Sequence, residues 1–229
     1  MINAAISRAK ANNLFWLGRY AERVYTTIAL LRDAWDAHID GDMDALPACF
    51  TKLGGRAEST EDSENRLYSY LYDAELPGSL AFSLERVFDN VVVLRDDLKS
   101  ETLSYVNLCR SHIIKCSSDT TCNLTNLQPI SDYILAFWGA VAERVYDTVT
   151  LRLLYLGKHI EYMDLHIRFD YPFRRLYMAW QDTNQLLTKL DAVVDRGARG
   201  QLVEFFLSGT DETHCPTELL VPLNRLVLV

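Results

Sequence analysis

Asn13-Leu14-Phe15-Trp16-Leu17-Gly18-Arg19-Tyr20-Ala21-Glu22-Arg23-Val24-Tyr25 sets Leu14, Leu17, Ala21 and Val24 at steps of three and four, and the pattern continues through Ile28, Leu31 and Trp35. That period places the apolar residues on one stripe of an amphipathic helix over about residues 13–38, with Asn12 or Asn13 as its cap. Arg19, Glu22 and Arg23 fall on the other side. So do Phe15 and Trp16, and two large aromatics do not suit a purely solvated face, so the helix is expected to be covered on both sides.

The Glu-Arg pair recurs. Glu22-Arg23-Val24-Tyr25 returns as Glu85-Arg86-Val87-Phe88 and as Glu143-Arg144-Val145-Tyr146, and Leu17-Gly18-Arg19-Tyr20-Ala21-Glu22 returns more loosely as Leu156-Gly157-Lys158-His159-Ile160-Glu161. A glycine costs about 1 kcal/mol relative to alanine inside a helix, so Gly18 and Gly157 point to a close approach of another helix or of a ligand. Arg19 and Arg23 lie four residues apart and repel each other, which Glu22 relieves in part. Carboxylates of the other copies can complete an interlocked Arg/Glu layer, or an anion can.

Outward from this stretch, glycine and proline number only 10 and 6 among 229 residues, which leaves long uninterrupted segments. Gly41 and Pro47 read as the end of the first helix, Gly54-Gly55 and the polar run that follows as a surface loop, and residues 66–72 as a short helix. Ser79, after Leu76-Pro77-Gly78, is placed to cap a helix running to about residue 99, with residues 101–114 as its continuation. Residues 116–129 read as loop. Ser131 or Asp132 then caps a segment over about residues 131–170 that forms one very long helix or two joined near Gly139 or Gly157. As a single straight helix it would hold Glu143 and Glu161, five turns apart, on one face. Pro172 closes it. Residues 176–196 read as a helix, Gly197 to Gly200 as a hinge, residues 201–207 as a last short helix, and the rest as an aperiodic tail. No strand alternation appears. The expectation is an all-α antiparallel helical bundle with repeated Glu-Arg helices, in one domain over residues 1–229.

The formal net charge of -8, with no Lys/Arg run longer than Arg174-Arg175, argues against nucleic acid and anionic membranes as partners. No apolar window has the length of a membrane span and no secretory signal is visible, so a cytoplasmic protein is expected. The five cysteines are scattered and read as reduced thiols, and Asn123-Leu124-Thr125 as a chance match to a glycosylation acceptor. His159 and His166 lie near Glu161 and Asp164, but the Glu-x-x-His spacing of metal-binding bundles is absent, so neither metal nor cofactor is expected.

The run Asn13 to Arg23 resembles the signature of the bacterial alpha-E family, an all-helical domain named for its Glu-Arg motif. Leu76-Pro77-Gly78-Ser79-Leu80 with Asn90, Arg95-Asp96, Glu101 and Asn107 resembles that family's second block, and residues 156–161 its later Leu-Gly-Arg-x-x-Glu-Arg block, from which Lys158 and Tyr162 depart. The similarity spans about residues 3–170. It implies a helical binding or accessory protein acting with an ATP-grasp-type amide ligase or a transglutaminase-like protein on a peptide-like product. Candidate residues for holding a carboxylate-bearing peptide or the partner are Arg19, Glu22, Arg23, Glu143, Arg144, Lys158 and Glu161. The alternatives are an enzyme in which Glu22 or Glu161 is the acid or base while Arg19 and Arg23 orient a carboxylate, and a structural homodimer that covers Phe15 and Trp16.

Overall fold

A computed structural model describes residues 6–54, 63–119, 124–208 and 214–229. The expected loop from Gly55 to residue 62, the glycosylation match at Asn123, and Asp211 to Thr213 of the tail fall outside them. Eleven α-helices occur among the described residues: α1 (Arg8–Ile39), α2 (Ala45–Lys52), α3 (Ser63–Tyr72), α4 (Leu80–Val93), α5 (Arg95–Leu98), α6 (Ser100–Ser117), α7 (Gln128–Arg144), α8 (Thr148–Arg168), α9 (Phe173–Leu187), α10 (Arg196–Ser208) and α11 (Leu220–Arg225). The fold is all-α. Extended pairing among the described residues is confined to two isolated bridges, Pro172 with His214 and Val194 with Val227.

Contacts divide the chain into two compact units, one formed by Met1–Arg19 with Asp147–Val229 and one by Tyr20–Tyr146. Helix α1 contributes its first part to one and the remainder to the other. In the Tyr20–Tyr146 unit, α6 packs against α7 and α4, burying Val87, Val91, Val106, Ile113, Ile134 and Phe137. Ser79 caps α4 as its position predicts, accepting from the Phe82 amide at 2.9 Å. In the other unit α8 packs against α9 and α11, burying Leu153, Leu156, Met163, Leu176, Trp180 and Leu223.

Several expected boundaries move, each for a local reason. Helix α1 begins at Arg8, and its cap is Ser7, whose hydroxyl accepts from the Lys10 amide at 3.2 Å; Asn12 and Asn13 lie inside the helix, because Ala9 and Ala11 extend it. Pro47 does not end a helix but sits in the first turn of α2, and Pro129 likewise in the first turn of α7, where a missing amide hydrogen costs nothing. Ser131 and Asp132 are therefore inside α7 rather than capping it. The α4 segment breaks at Leu94 and again at Lys99, whose φ is 69°.

The 131–170 segment is two helices, and neither Gly139 nor Gly157 joins them. Val145 leaves helical geometry at ψ 111°, and Asp147 caps α8 by accepting from both the amide and the hydroxyl of Thr150 at 2.8 and 2.6 Å. These hydrogen bonds hold the Asp147 carboxyl below its ordinary range. Glu143 and Glu161 therefore do not share a helix face, and the third Glu-Arg copy is the C-terminal end of α7. The 176–196 helix is α9 alone, ending at Leu187, and Gly197 to Gly200 form the first turns of α10 instead of a hinge. The tail contains α11.

The thiols of Cys49 and Cys109 are free and buried, and burial pushes both up to about 12; Cys215 is buried. Cys116 departs from the reduced-thiol expectation, being disulfide-bonded. No described helix is long and apolar enough to cross a membrane.

Candidate functional site

The approach of α1 to α8 is set by the two glycines. A Cβ on Gly18 would stand 2.1 Å from the Leu154 carbonyl oxygen and 3.0 Å from the Lys158 nitrogen, and a Cβ on Gly157 would stand 2.0 Å from the Phe15 carbonyl oxygen and 3.1 Å from the Arg19 nitrogen. Each glycine meets the residues three before and one after the other. Any side chain would wedge the backbones apart, which is why both positions forgo the better helix formers.

That approach delivers Arg19 to α8. Its Nε donates to Glu161 Oε2 at 2.6 Å, its Nη1 to Asn224 Oδ1 at 3.0 Å, and its Nη2 lies 3.8 Å from Asp164 Oδ2. Asn224, on α11, donates from Nδ2 to Asp164 Oδ2 at 2.6 Å, and Arg168 Nε donates to Asp164 Oδ1 at 2.5 Å. Glu161, Asp164 and Arg168 recur at three- and four-residue spacing, so they share one side of α8. Glu161 is 0% exposed, Asp164 2% and Arg19 6%. Two cations face two carboxylates here, and Arg168 is the one of the four that keeps partial exposure. Burial raises the Asp164 carboxyl, but hydrogen bonds from Arg168 and Asn224 with the charges of Arg168 and Arg19 outweigh it, and the net direction is downward. The Arg19 guanidinium also lies 5.1 Å from the centre of the Trp16 ring, and Phe15 is buried, as the second covered side of the helix requires.

Glu22 is buried and accepts from the Thr26 hydroxyl at 3.1 Å; Arg23 is half-buried in the Tyr20–Tyr146 unit and acts electrostatically on Tyr70. Glu85 pairs with Arg110 at 2.8 Å. Glu143 and Arg144 are exposed at the end of α7.

Lys158 is placed elsewhere, on the wall of a cavity of about 320 Å³ between α8 and α9, lined also by His159, Tyr162, Arg175, Met178 and Asp182. Arg175 Nε donates to the Tyr162 hydroxyl at 2.7 Å, and its guanidinium lies 4.6 Å from the centre of the Tyr171 ring. Behind this, His166 stacks on Tyr162 at 3.7 Å and touches Tyr171 at 4.3 Å, with Nδ1 2.6 Å from the Tyr162 carbonyl oxygen. Burial pushes His166 down to about 4 and lowers His159 as well, so both are neutral near pH 7. Among the described residues, no group of three or more His, Cys, Asp or Glu side chains could hold a metal ion.

A larger cavity of about 600 Å³, lined by Ile6, Ala11, Val149, Leu153, Leu190 and others, is mainly apolar. Of the charged groups on it, Asp191 is already paired with Arg196 at 2.6 Å. The smaller cavity is the one that holds a candidate named from the sequence, Lys158. Sequence reading missed Asn224, Arg168, Arg175 and Asp182. Arg175 and Asp182, seven residues apart and so on one face of α9, were the available signal.

No curated protein and no solved structure matches the chain. One family does: its model, described as a predicted alpha-helical domain with a conserved ER motif, matches residues 6–193. That match takes in the whole α1/α8 crossing with Arg19 and Glu161, and stops short of Asn224. With most of its length matched, the chain belongs to the Alpha-E family.

Proposed function

We propose that this protein is a non-catalytic helical binding and accessory protein, which works in the cytoplasm beside an ATP-grasp-type amide ligase or a transglutaminase-like enzyme in making or modifying a peptide-like product. The observation that carries the non-catalytic part is the burial of Glu161 against Arg19 at 2.6 Å. An acid or base must reach the proton it transfers, and Glu161, with no exposed surface, cannot do so without dismantling a buried ion pair. Arg19 is committed to Glu161, Asn224 and Asp164, so its charge does not await a substrate. Phe15 is buried within the chain itself, which removes the need for a second subunit to cover it. The choice of partner rests on the likeness to the alpha-E family.

The test is affinity capture of the tagged full chain from cells, followed by identification of what it retains and an amide-ligation assay of the retained enzyme with and without the chain. Recovery of a ligase or transglutaminase-like protein whose product formation depends on the chain is the expected result. Capture of neither, or turnover by the purified chain alone that Glu161→Gln abolishes without lowering its melting temperature, overturns the reading.

A further inference from the structure

Arg175 is an unusual surface cation. A solvated arginine samples many rotamers, and holding it still costs side-chain entropy. Here that cost is already met: Nε is fixed by the Tyr162 hydroxyl and the guanidinium plane by the Tyr171 ring, and the rings are themselves clamped by His166. No carboxylate of the described residues lies within ion-pair distance of Arg175, in contrast to Arg19, Arg110, Arg168 and Arg196. A guanidinium held in place with its Nη edge uncommitted is the arrangement that takes a carboxylate through two parallel hydrogen bonds.

The far end of the same cavity carries the opposite sign. Asp182 is exposed, lines the cavity two helical turns from Arg175, and acts electrostatically on His159. Seven residues of helix correspond to about 10.5 Å. An extended chain advances about 3.3–3.6 Å per residue, so about three residues span that distance. The volume of about 320 Å³ lies at the small end of the range of ligand sites, about 300–1,000 Å³. Between the two ends the wall is the apolar side of Met178 and the half-buried imidazole of His159.

We propose that the α8/α9 cavity is a binding site for a short peptide with free termini, its C-terminal carboxylate on Arg175 with support from Lys158, and its N-terminal ammonium toward Asp182. This rests on the binding-protein reading above and gives that reading a ligand class and an orientation.

Titration calorimetry of the full chain with triglycine, triglycinamide and N-acetyltriglycine tests it. Triglycine is expected to bind saturably and at least about tenfold more tightly than either blocked form, the scale of losing a charge-assisted hydrogen-bonded pair. Arg175→Gln should abolish the preference for acid over amide, and Asp182→Asn the preference for free amine over acetyl. The comparison of free and blocked peptides on the unaltered chain requires no variant to fold. Absence of saturable triglycine binding at millimolar concentration, or equal affinity for all three peptides, overturns the inference. Retention of a ligase by the chain despite no peptide binding would refute this site alone, whereas peptide binding with no partner retained would refute the accessory role alone.

Discussion

Gly18 and Gly157 occupy equivalent places in one helix crossing: the carbonyl oxygen three residues before each of them stands 2.0–2.1 Å from where the other's Cβ would be. The ion pair between Arg19 and Glu161 depends on that distance, since Arg19 follows the first glycine by one residue and Glu161 the second by four. Spacing and charge are therefore a single device.

Gly18→Ala and Gly157→Ala should each destabilise the protein, although alanine is the better helix former by about 1 kcal/mol. The obstacles are backbone atoms, which cannot swing aside as a side-chain tip can, and overpacking of this kind costs about 1–3 kcal/mol or more. A fall in melting temperature of at least about 2 °C is expected for each, followed by circular dichroism at 222 nm. An unchanged or higher melting point would mean that the crossing is looser than described.

Arg19→Met and Glu161→Gln should each cost on the order of 3–5 kcal/mol, because each leaves a buried charge without its partner. The double variant Arg19→Met/Glu161→Gln should cost less than the sum by at least about 1 kcal/mol. Urea denaturation of the four proteins measures the coupling, and strict additivity would show that the two side chains do not act as a pair.

Asn224→Ala removes the three hydrogen bonds made by the Asn224 side-chain amide, with Arg19, Asp164 and the Leu220 carbonyl, and should cost about 1–3 kcal/mol. It has a second signature. One of the influences holding the Asp164 carboxyl down is the Asn224 amide, so in the variant its titration, followed by carboxyl-carbon NMR, should move upward.

Acid should weaken the fold through His166. Burial lowers its folded-state value from 6.5 to about 4, so over that window the unfolded chain binds a proton that the folded chain refuses. Its contribution is fully present above pH 6.5 and is lost as pH falls toward 4, by on the order of 3 kcal/mol. The groups facing it are Tyr162, Tyr171 and Arg175, and Arg175 acts in the same direction. His159 shifts the same way. Unfolding free energies at about pH 7 and about pH 4 should differ less for His166→Gln than for the unaltered protein.

Much of the fold was legible because its signals are local. The three-four period of Leu14 to Leu31, the Ser79 cap and the two costly glycines each state a requirement that nearby residues or one packing partner must meet, and each was met. The α7–α8 break was not legible by searching for glycine or proline, since Val145-Tyr146-Asp147 contains neither; Asp147 with Thr150 was the cap to look for. Pro47 and Pro129 misled for the converse reason, being helix starters as readily as stoppers. At the site, Arg19 and Glu161 were both named, but their pairing is fixed by packing across a separation of 142 positions. Asn224 lay in what looked like an aperiodic tail. Arg175 gains its character from tyrosines at 162 and 171, which no charge pattern reveals.

The separation of Arg19 from Asn224, 205 positions along the chain, also sets a clock during synthesis. At about 5–20 residues per second, Arg19 leaves the ribosome about 10–40 s before the amide that completes its surroundings. For about the first 6–26 s of that interval, before Asp147 is made, the first turns of α1, with Leu14, Phe15 and Leu17, have none of the Asp147–Val229 residues of their unit to bury against. Slow translation of the message between Tyr20 and Tyr146 would lengthen that exposure.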